Sequence, residues 1–143
     1  MHRIKIYTIG KIKESWLQEG IEEYVKRLKP SLTLDWILAK NLPVLEQLLE
    51  SEPHFTSLDP QGKLFSSEQF SEWLQQTLYE GGSRLTLLIG GAEGFTDEIR
   101  NKANMMLSFG QQTWPHVMVR VMLLEQIYRA QQIIAGHPYH REG

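Results

Sequence analysis

Apolar residues along this chain recur at two spacings, every second position in some stretches and every third or fourth in those between, and the alternation predicts the elements. Ile4, Ile6 and the run to Ile9 read as a strand. After Gly10, Ser15 and Gln18 stand in capping-box spacing ahead of a helix whose Leu17, Ile21, Tyr24, Val25 and Leu28 share one face, and Pro30 stops it. Leu32, Leu34, Trp36 and Leu38 alternate as a second strand, and Pro43 opens a short helix through Leu49. His54 to Leu58 is a short third strand, ended by the turn chemistry of Asp59-Pro60-Gln61-Gly62. Ser66 with Gln69 caps a helix bearing Phe70, Trp73, Leu74 and Leu78, which Gly81-Gly82 terminates. Leu85 to Ile89 is an apolar strand of the buried, parallel type. It runs into Gly90-Gly91-Ala92-Glu93-Gly94, after which Thr96 caps a helix through Ala103. Met105 to Phe109 is the fifth strand, and beyond a loop from Gly110 to Trp114 the last helix begins at Pro115 and runs to about Ile134.

Strands alternating with helices predict an α/β fold, a mostly parallel sheet of five to six strands with helices on both faces, in a single domain over 1–143. Ligands of such sheets sit beyond the carboxyl ends of the strands. Here that means the loops after Leu58, Ile89 and Phe109. Along the last helix Val117, Met118, Val119, Val121, Met122, Leu123, Leu124, Ile127, Ile133 and Ile134 exceed one apolar stripe. A helix apolar nearly all round is covered on more than one side, so a homodimer is expected through it.

Composition narrows the chemistry. With no cysteine in 143 residues, disulfides, zinc-thiolate sites and cysteine nucleophiles are excluded by inventory. The N-terminal MHRIKIYTIG lacks the apolar core of a signal peptide and no apolar run approaches a bilayer span, so a cytoplasmic protein without a membrane partner is expected. Fifteen Lys and Arg against seventeen Asp and Glu leave a formal charge of -2. Bulk electrostatics therefore does not hold bare nucleic acid, and an RNA partner would be met by a local patch or a shaped surface.

Three groups of residues carry candidate chemistry. The glycine loop between a strand and a helix admits close backbone approach to a ligand, but it lacks the G-x-G-x-x-G order, and Glu93 would repel a pyrophosphate; a tight turn needing positive φ is the alternative. Arg120 and Arg129 lie on the otherwise apolar last helix and require partners: Glu125, a second chain, or an anion. His116, His137 and His140 lack cysteine partners and only the last two are closely spaced, so no metal site is expected. The closing His137-Pro138-Tyr139-His140-Arg141 holds a hydroxyl, two imidazoles and a guanidinium, groups suited to stacking, proton transfer and anion stabilisation.

Taken together, Leu88-Ile89-Gly90-Gly91-x-Glu93-Gly94, Thr113-x-Pro115-His116-x-x-x-Arg120, Leu124-Glu125-Gln126-x-Tyr128-Arg129-Ala130 and the terminal His137-Pro138-Tyr139-His140-Arg141 resemble the RlmH family of SPOUT-class methyltransferases. The resemblance implies S-adenosylmethionine as methyl donor, a C-terminal trefoil knot forming its pocket, a homodimer, and N3-methylation of a pseudouridine in the 23S rRNA stem-loop facing the decoding centre. Carried over, the cofactor-binding positions are Leu58, Gly90, Phe109, Gly110, Gln111, Gln112, Thr113 and Trp114. Tyr139, His140 and Arg141 are the catalytic candidates, Arg141 near developing oxygen charge and His140 or Tyr139 positioning the imide. The chain departs from the family pattern at Phe109-Gly110, where Leu-Ser is common, and at Ala92, where proline is common. The near-neutral charge favours an assembled ribosome over free RNA as the target. The rival reading is a non-enzymatic nucleotide-binding or ribosome-associated module on the same sheet.

Overall fold

The computed structural model describes residues 1–91 and 94–142; Ala92 and Glu93 of the glycine loop, and Gly143, lie outside the described residues. Strands β1 (His2–Ile9), β2 (Leu32–Ala39), β3 (Thr56–Leu64), β4 (Arg84–Ile89) and β5 (Met105–Ser108) form one sheet in the order β2-β1-β4-β3-β5. Every pairing is parallel. Helices α1 (Ser15–Leu28), α3 (Ser67–Glu80) and α5 (His116–Ala135) cover one face, meeting Ile4, Ile6, Leu85, Leu87 and Ile89. The short α2 (Leu42–Leu49) and α4 (Asp97–Lys102) cover the other, meeting Tyr7, Ala39 and Leu88. Alternate side chains of β1 and β4 thus enter different cores, as the period of a strand requires. None of the helices among the described residues is long and apolar enough to cross a membrane.

Local signals act where the spacing predicts in most cases. Ser66 and Gln69 make the reciprocal capping box of α3, Thr96 accepts from the Ile99 amide at α4, and Asn41 caps α2 with Pro43 in its first turn. The expected box at Ser15 and Gln18 does not form. Glu14 precedes α1 with no side-chain cap, and Ser15 is already helical.

The larger correction concerns β3. Asp59-Pro60-Gln61-Gly62 does not end the strand; it is a bulge inside it, where the register on β5 jumps from Leu58 opposite Leu107 to Lys63 opposite Leu107. Asp59 Oδ1 accepts from the Gln61 amide at 2.9 Å and closes the bulge. Gly62 lies so near β5 that a Cβ there would come within 2.7 Å of the Leu107 amide nitrogen. Proline is tolerated because the bulged residues leave the ladder.

From the sheet edge at β5 the chain returns to α5, whose first turns lie at the end of β1. Arg120, 2% exposed, donates through Nη2 to the carbonyls of Ile9 (2.7 Å) and Gly10 (2.9 Å). In the sheet β1 and β5 are separated by β4 and β3, so residues 109–115 cross over the carboxyl ends of both. The Arg120 charge has no carboxylate beside it among the described residues, its Nε is buried without a partner, and burial holds its pKa below the usual arginine value.

The stripe of α5 turned inward is Arg120, Leu123, Leu124, Ile127 and Ala130. Val121 packs on α1, where a Cβ on Gly20 would sit 3.5 Å from it. On the other sheet face Glu52 gathers Lys5 (2.6 Å), the Tyr7 hydroxyl (2.7 Å) and Thr86 (3.3 Å), tying the segment after α2 to β1 and β4. Burial together with the Glu52 carboxylate pushes the Tyr7 hydroxyl up to about 12. Replacing Arg120 with methionine, of similar reach but no donor, is expected to lower stability by about 2 kcal/mol or more, because two buried carbonyls lose a charged donor. Urea denaturation measures it, and a wild-type midpoint would show that Arg120 does not fasten α5 to β1.

Candidate functional site

The crossing segment roofs a cavity of about 540 Å³, within the range of small-molecule pockets. Its floor is the ends of two strands: Leu58, Asp59 and Pro60 of β3, and Ile89 followed by Gly90, Gly91, Gly94 and Phe95 after β4. The loop after β5 and the first turns of α5 supply Phe109, Gly110, Gln112, Thr113, Trp114, Pro115, His116 and Val119. Seven of the eight residues expected to bind a cofactor therefore converge; Gln111 alone is not in the wall.

The expected positive φ occurs at the end of the glycine loop: Gly94 has φ +75°, and its amide donates to the Gly91 carbonyl at 3.0 Å. Gly90 leaves no spare room on its other side, since a Cβ would sit 3.2 Å from the Phe95 ring. Phe95 itself lines the cavity, so the two positions are set together.

The charged pair of the wall was not singled out by the sequence. Asp59, whose side chain is 2% exposed, takes the Arg100 Nε on its Oδ2 at 2.9 Å. Arg100, from α4, is itself part of the wall. Asp59 had the signature of a turn, and Arg100 that of a surface helix residue; no spacing links positions 41 apart. His116, in the first turn of α5, faces the same cavity. Burial, with the Arg120 charge beside it and against the pull of Glu14, holds its imidazole below the usual histidine value. A neutral ring is thus available at neutral pH.

Tyr139, His140 and Arg141 are elsewhere. They form a short helix, α6 (Tyr139–Glu142), packed on α5. The Tyr139 hydroxyl donates to Glu125 Oε2 at 3.2 Å, its ring meets Tyr128 edge-on at 4.8 Å, and the Arg129 guanidinium stacks on it at 5.0 Å. Burial first, then hydrogen bonding to Tyr24 and the Glu125 charge, raise its pKa. His140 lies between Arg129 Nη1 (Nδ1, 2.9 Å) and Glu68 (Nε2, 2.6 Å), while Arg141 is exposed. Arg129 finds the Glu125 carboxylate at 3.0 Å, the internal pair among its expected partners.

Glu125 connects the tail to the site, because it lines a second cavity of about 410 Å³ with Ser67, Phe70, Met122 and Gln126. Ser108, Phe109 and Gly110 belong to both cavities, so the two adjoin along the loop after β5. Among the described residues no three histidine or acidic side chains gather as a metal site.

The sequence is similar to those of known proteins over nearly its whole length. The family described as "Predicted SPOUT methyltransferase" matches residues 2–140. A protein of Desulfitobacterium hafniense named ribosomal RNA large subunit methyltransferase H is 39% identical over 160 aligned positions, covering 99% of this chain and all of the relative. Proteins of the same name from Protochlamydia amoebophila (38%, covering 99% of this chain and all of the relative) and Carboxydothermus hydrogenoformans (40%, covering 96% and 99%) are similar to the same extent. With the likeness running through both halves of the chain and through every strand that builds the cavity, the chain belongs to the SPOUT methyltransferases, in the RlmH family.

Proposed function

We propose that this protein, a single methyltransferase domain over 1–143, transfers a methyl group from S-adenosylmethionine to N3 of a pseudouridine in 23S rRNA, in the cytoplasm and on the assembled ribosome. The observation that carries the reading is the convergence of three strand-end loops on one cavity of nucleoside size in a chain of this family. The names of the relatives support the RNA substrate, and the formal charge of -2 supports an assembled target over free RNA. The trefoil knot belongs to the same reading, supported by the passage of residues 109–115 across β3 and β4.

The cavity fits the donor. Gly90, Gly91 and Gly110 border it without side chains, so peptide groups approach a ligand directly, while Phe95, Trp114 and Val119 keep water from it. When bound, S-adenosylmethionine supplies an electrophilic methyl on a sulfonium. The chain's own task is to align the acceptor and accept an imide proton. Arg141 is exposed, on the short helix whose Tyr139 donates to Glu125 of the second cavity, which suits charge stabilisation on an incoming base; His140 and Tyr139 hold the tail against α5 and position it.

The homodimer is placed, in this proposal, on the outward face of α5. Leu124 is fully buried in the chain's own core and Val121 packs on α1, so neither is free for a partner. Met118 and Met122, half-buried, fall opposite the inward stripe, and Trp114, 39% exposed, precedes them. That face is the one proposed to meet a second copy.

Three outcomes are expected. Ribosomes lacking the modification, incubated with the protein and methyl-labelled donor, are expected to gain label in 23S rRNA, and Gly90→Val, which displaces Phe95, is expected to weaken donor binding by about tenfold or more. Absence of donor binding in calorimetry would favour the nucleotide-binding module, and binding without transfer a factor that has lost catalysis. Arg141→Ala is expected to leave donor affinity within a few fold and to lower transfer roughly a hundredfold, the scale of one oxyanion donor; wild-type transfer would remove the tail from the chemistry. Met118→Glu is expected to shift a wild-type dimer to monomer in sedimentation, and a wild-type monomer at micromolar concentration would refute the interface.

A further inference from the structure

The guanidinium in the cavity wall is only partly used by the protein. Arg100 gives Nε to Asp59 at 2.9 Å, and among the described residues its Nη1 has only a distant neighbour, Asp97 Oδ1 at 3.8 Å on a side chain 95% exposed. A guanidinium carries five N–H donors. Asp59 in turn accepts on both oxygens, from the Gln61 amide on Oδ1 and from Arg100 on Oδ2, and its side chain is almost wholly buried. Both bonds fix its carboxylate in place. The pair therefore acts as a fixed mount, with a buried acid holding the Nε edge of a guanidinium that belongs to the cavity wall.

The mount selects a ligand group by charge. Adenine and ribose are neutral, and the sulfonium and amino group of the donor are cationic and repelled by a guanidinium. Only the carboxylate of the donor's methionine portion is complementary, and arginine matches a carboxylate in geometry as well as sign. We infer that Arg100, positioned by Asp59, binds this carboxylate and makes the pocket discriminate amino-acid-bearing nucleosides from neutral ones. The inference rests on the proposed use of S-adenosylmethionine. It adds a specificity residue on α4 to a pocket otherwise assigned to loops.

Calorimetry with two thioethers tests it: S-adenosylhomocysteine, which carries the amino acid, and 5′-methylthioadenosine, which does not. Arg100→Met is expected to weaken S-adenosylhomocysteine by about ten- to a hundredfold, the size of a lost charge-assisted hydrogen bond, and to leave methylthioadenosine within twofold. Arg100→Lys keeps a cation for Asp59 but lacks the fork. It is expected to fold even where the methionine variant does not, and to weaken only S-adenosylhomocysteine, by several fold. Equal losses for both ligands, or no loss for either, would overturn the assignment while leaving the cofactor in place. A wild-type protein that binds neither ligand would overturn the cofactor reading itself, and the assignment with it.

Discussion

The return of the chain from β5 to β1 is the constraint on which the site depends. β5 is an edge strand, yet α5 must start at the end of β1, with two strands between, to bury Leu123, Leu124 and Ile127 against the sheet. Seven residues span that distance, and Arg120 holds the far end by two carbonyls that β1 leaves unpaired as it exits the sheet. A guanidinium so deeply buried, with no carboxylate beside it among the described residues, is costly unless its hydrogen bonds are fixed by the fold. Its partners are main-chain atoms, which cannot rotate away as a carboxylate could. The crossing is thereby held taut over β3 and β4, and the space beneath it is the cavity.

A second constraint comes from the bulge in β3. Had the strand simply ended at Leu58, Asp59 would point into solvent and the following residues would leave the sheet. Instead β3 resumes at Lys63 on the same neighbour, which brings Asp59 and Pro60 back over the strand end and buries the Asp59 carboxylate. Burial of that charge requires a cation, and Arg100 from α4 provides it across the mouth of the pocket. The floor, the roof and one charged wall of the cavity thus come from segments far apart in the chain. The loop after β5 is shared with the smaller cavity beside Glu125, so that the tail on α5 and the pocket under the crossing are neighbours without touching.

The sheet and its helices were legible in the sequence because their signals are local and repeated. Period two in β1, the unbroken apolar run of β4, the Ser66 and Thr96 caps and Pro115 ahead of α5 each specify an element within a few residues. Where two local signals had the same appearance the reading failed. Turn chemistry at Asp59 to Gly62 is the same whether a strand stops or bulges, and only the presence of β5 with room for a Gly62 backbone contact decides between them. The Ser15 and Gln18 spacing met its residues one position too late, since the helix had begun. For α5, apolar excess showed that several surfaces were needed but not which residues served which, and Leu124 went to the chain's own core.

By itself the sequence determined the fold class, the three strand-end loops that line the cavity, and, through motifs from Leu88 to Arg141, the family. These rest on residues close together, whose meaning does not depend on what they meet. Tertiary structure decided the rest: that Arg120 binds main-chain carbonyls 110 and 111 residues away, that Asp59 is an acid of the pocket wall, that Arg100 joins it there from α4, and that Tyr139 and His140 are fastened beside a second cavity. Burial, charge pairing and the reach of a side chain are properties of the packed chain. They come into being only when the crossing from β5 to β1 has closed.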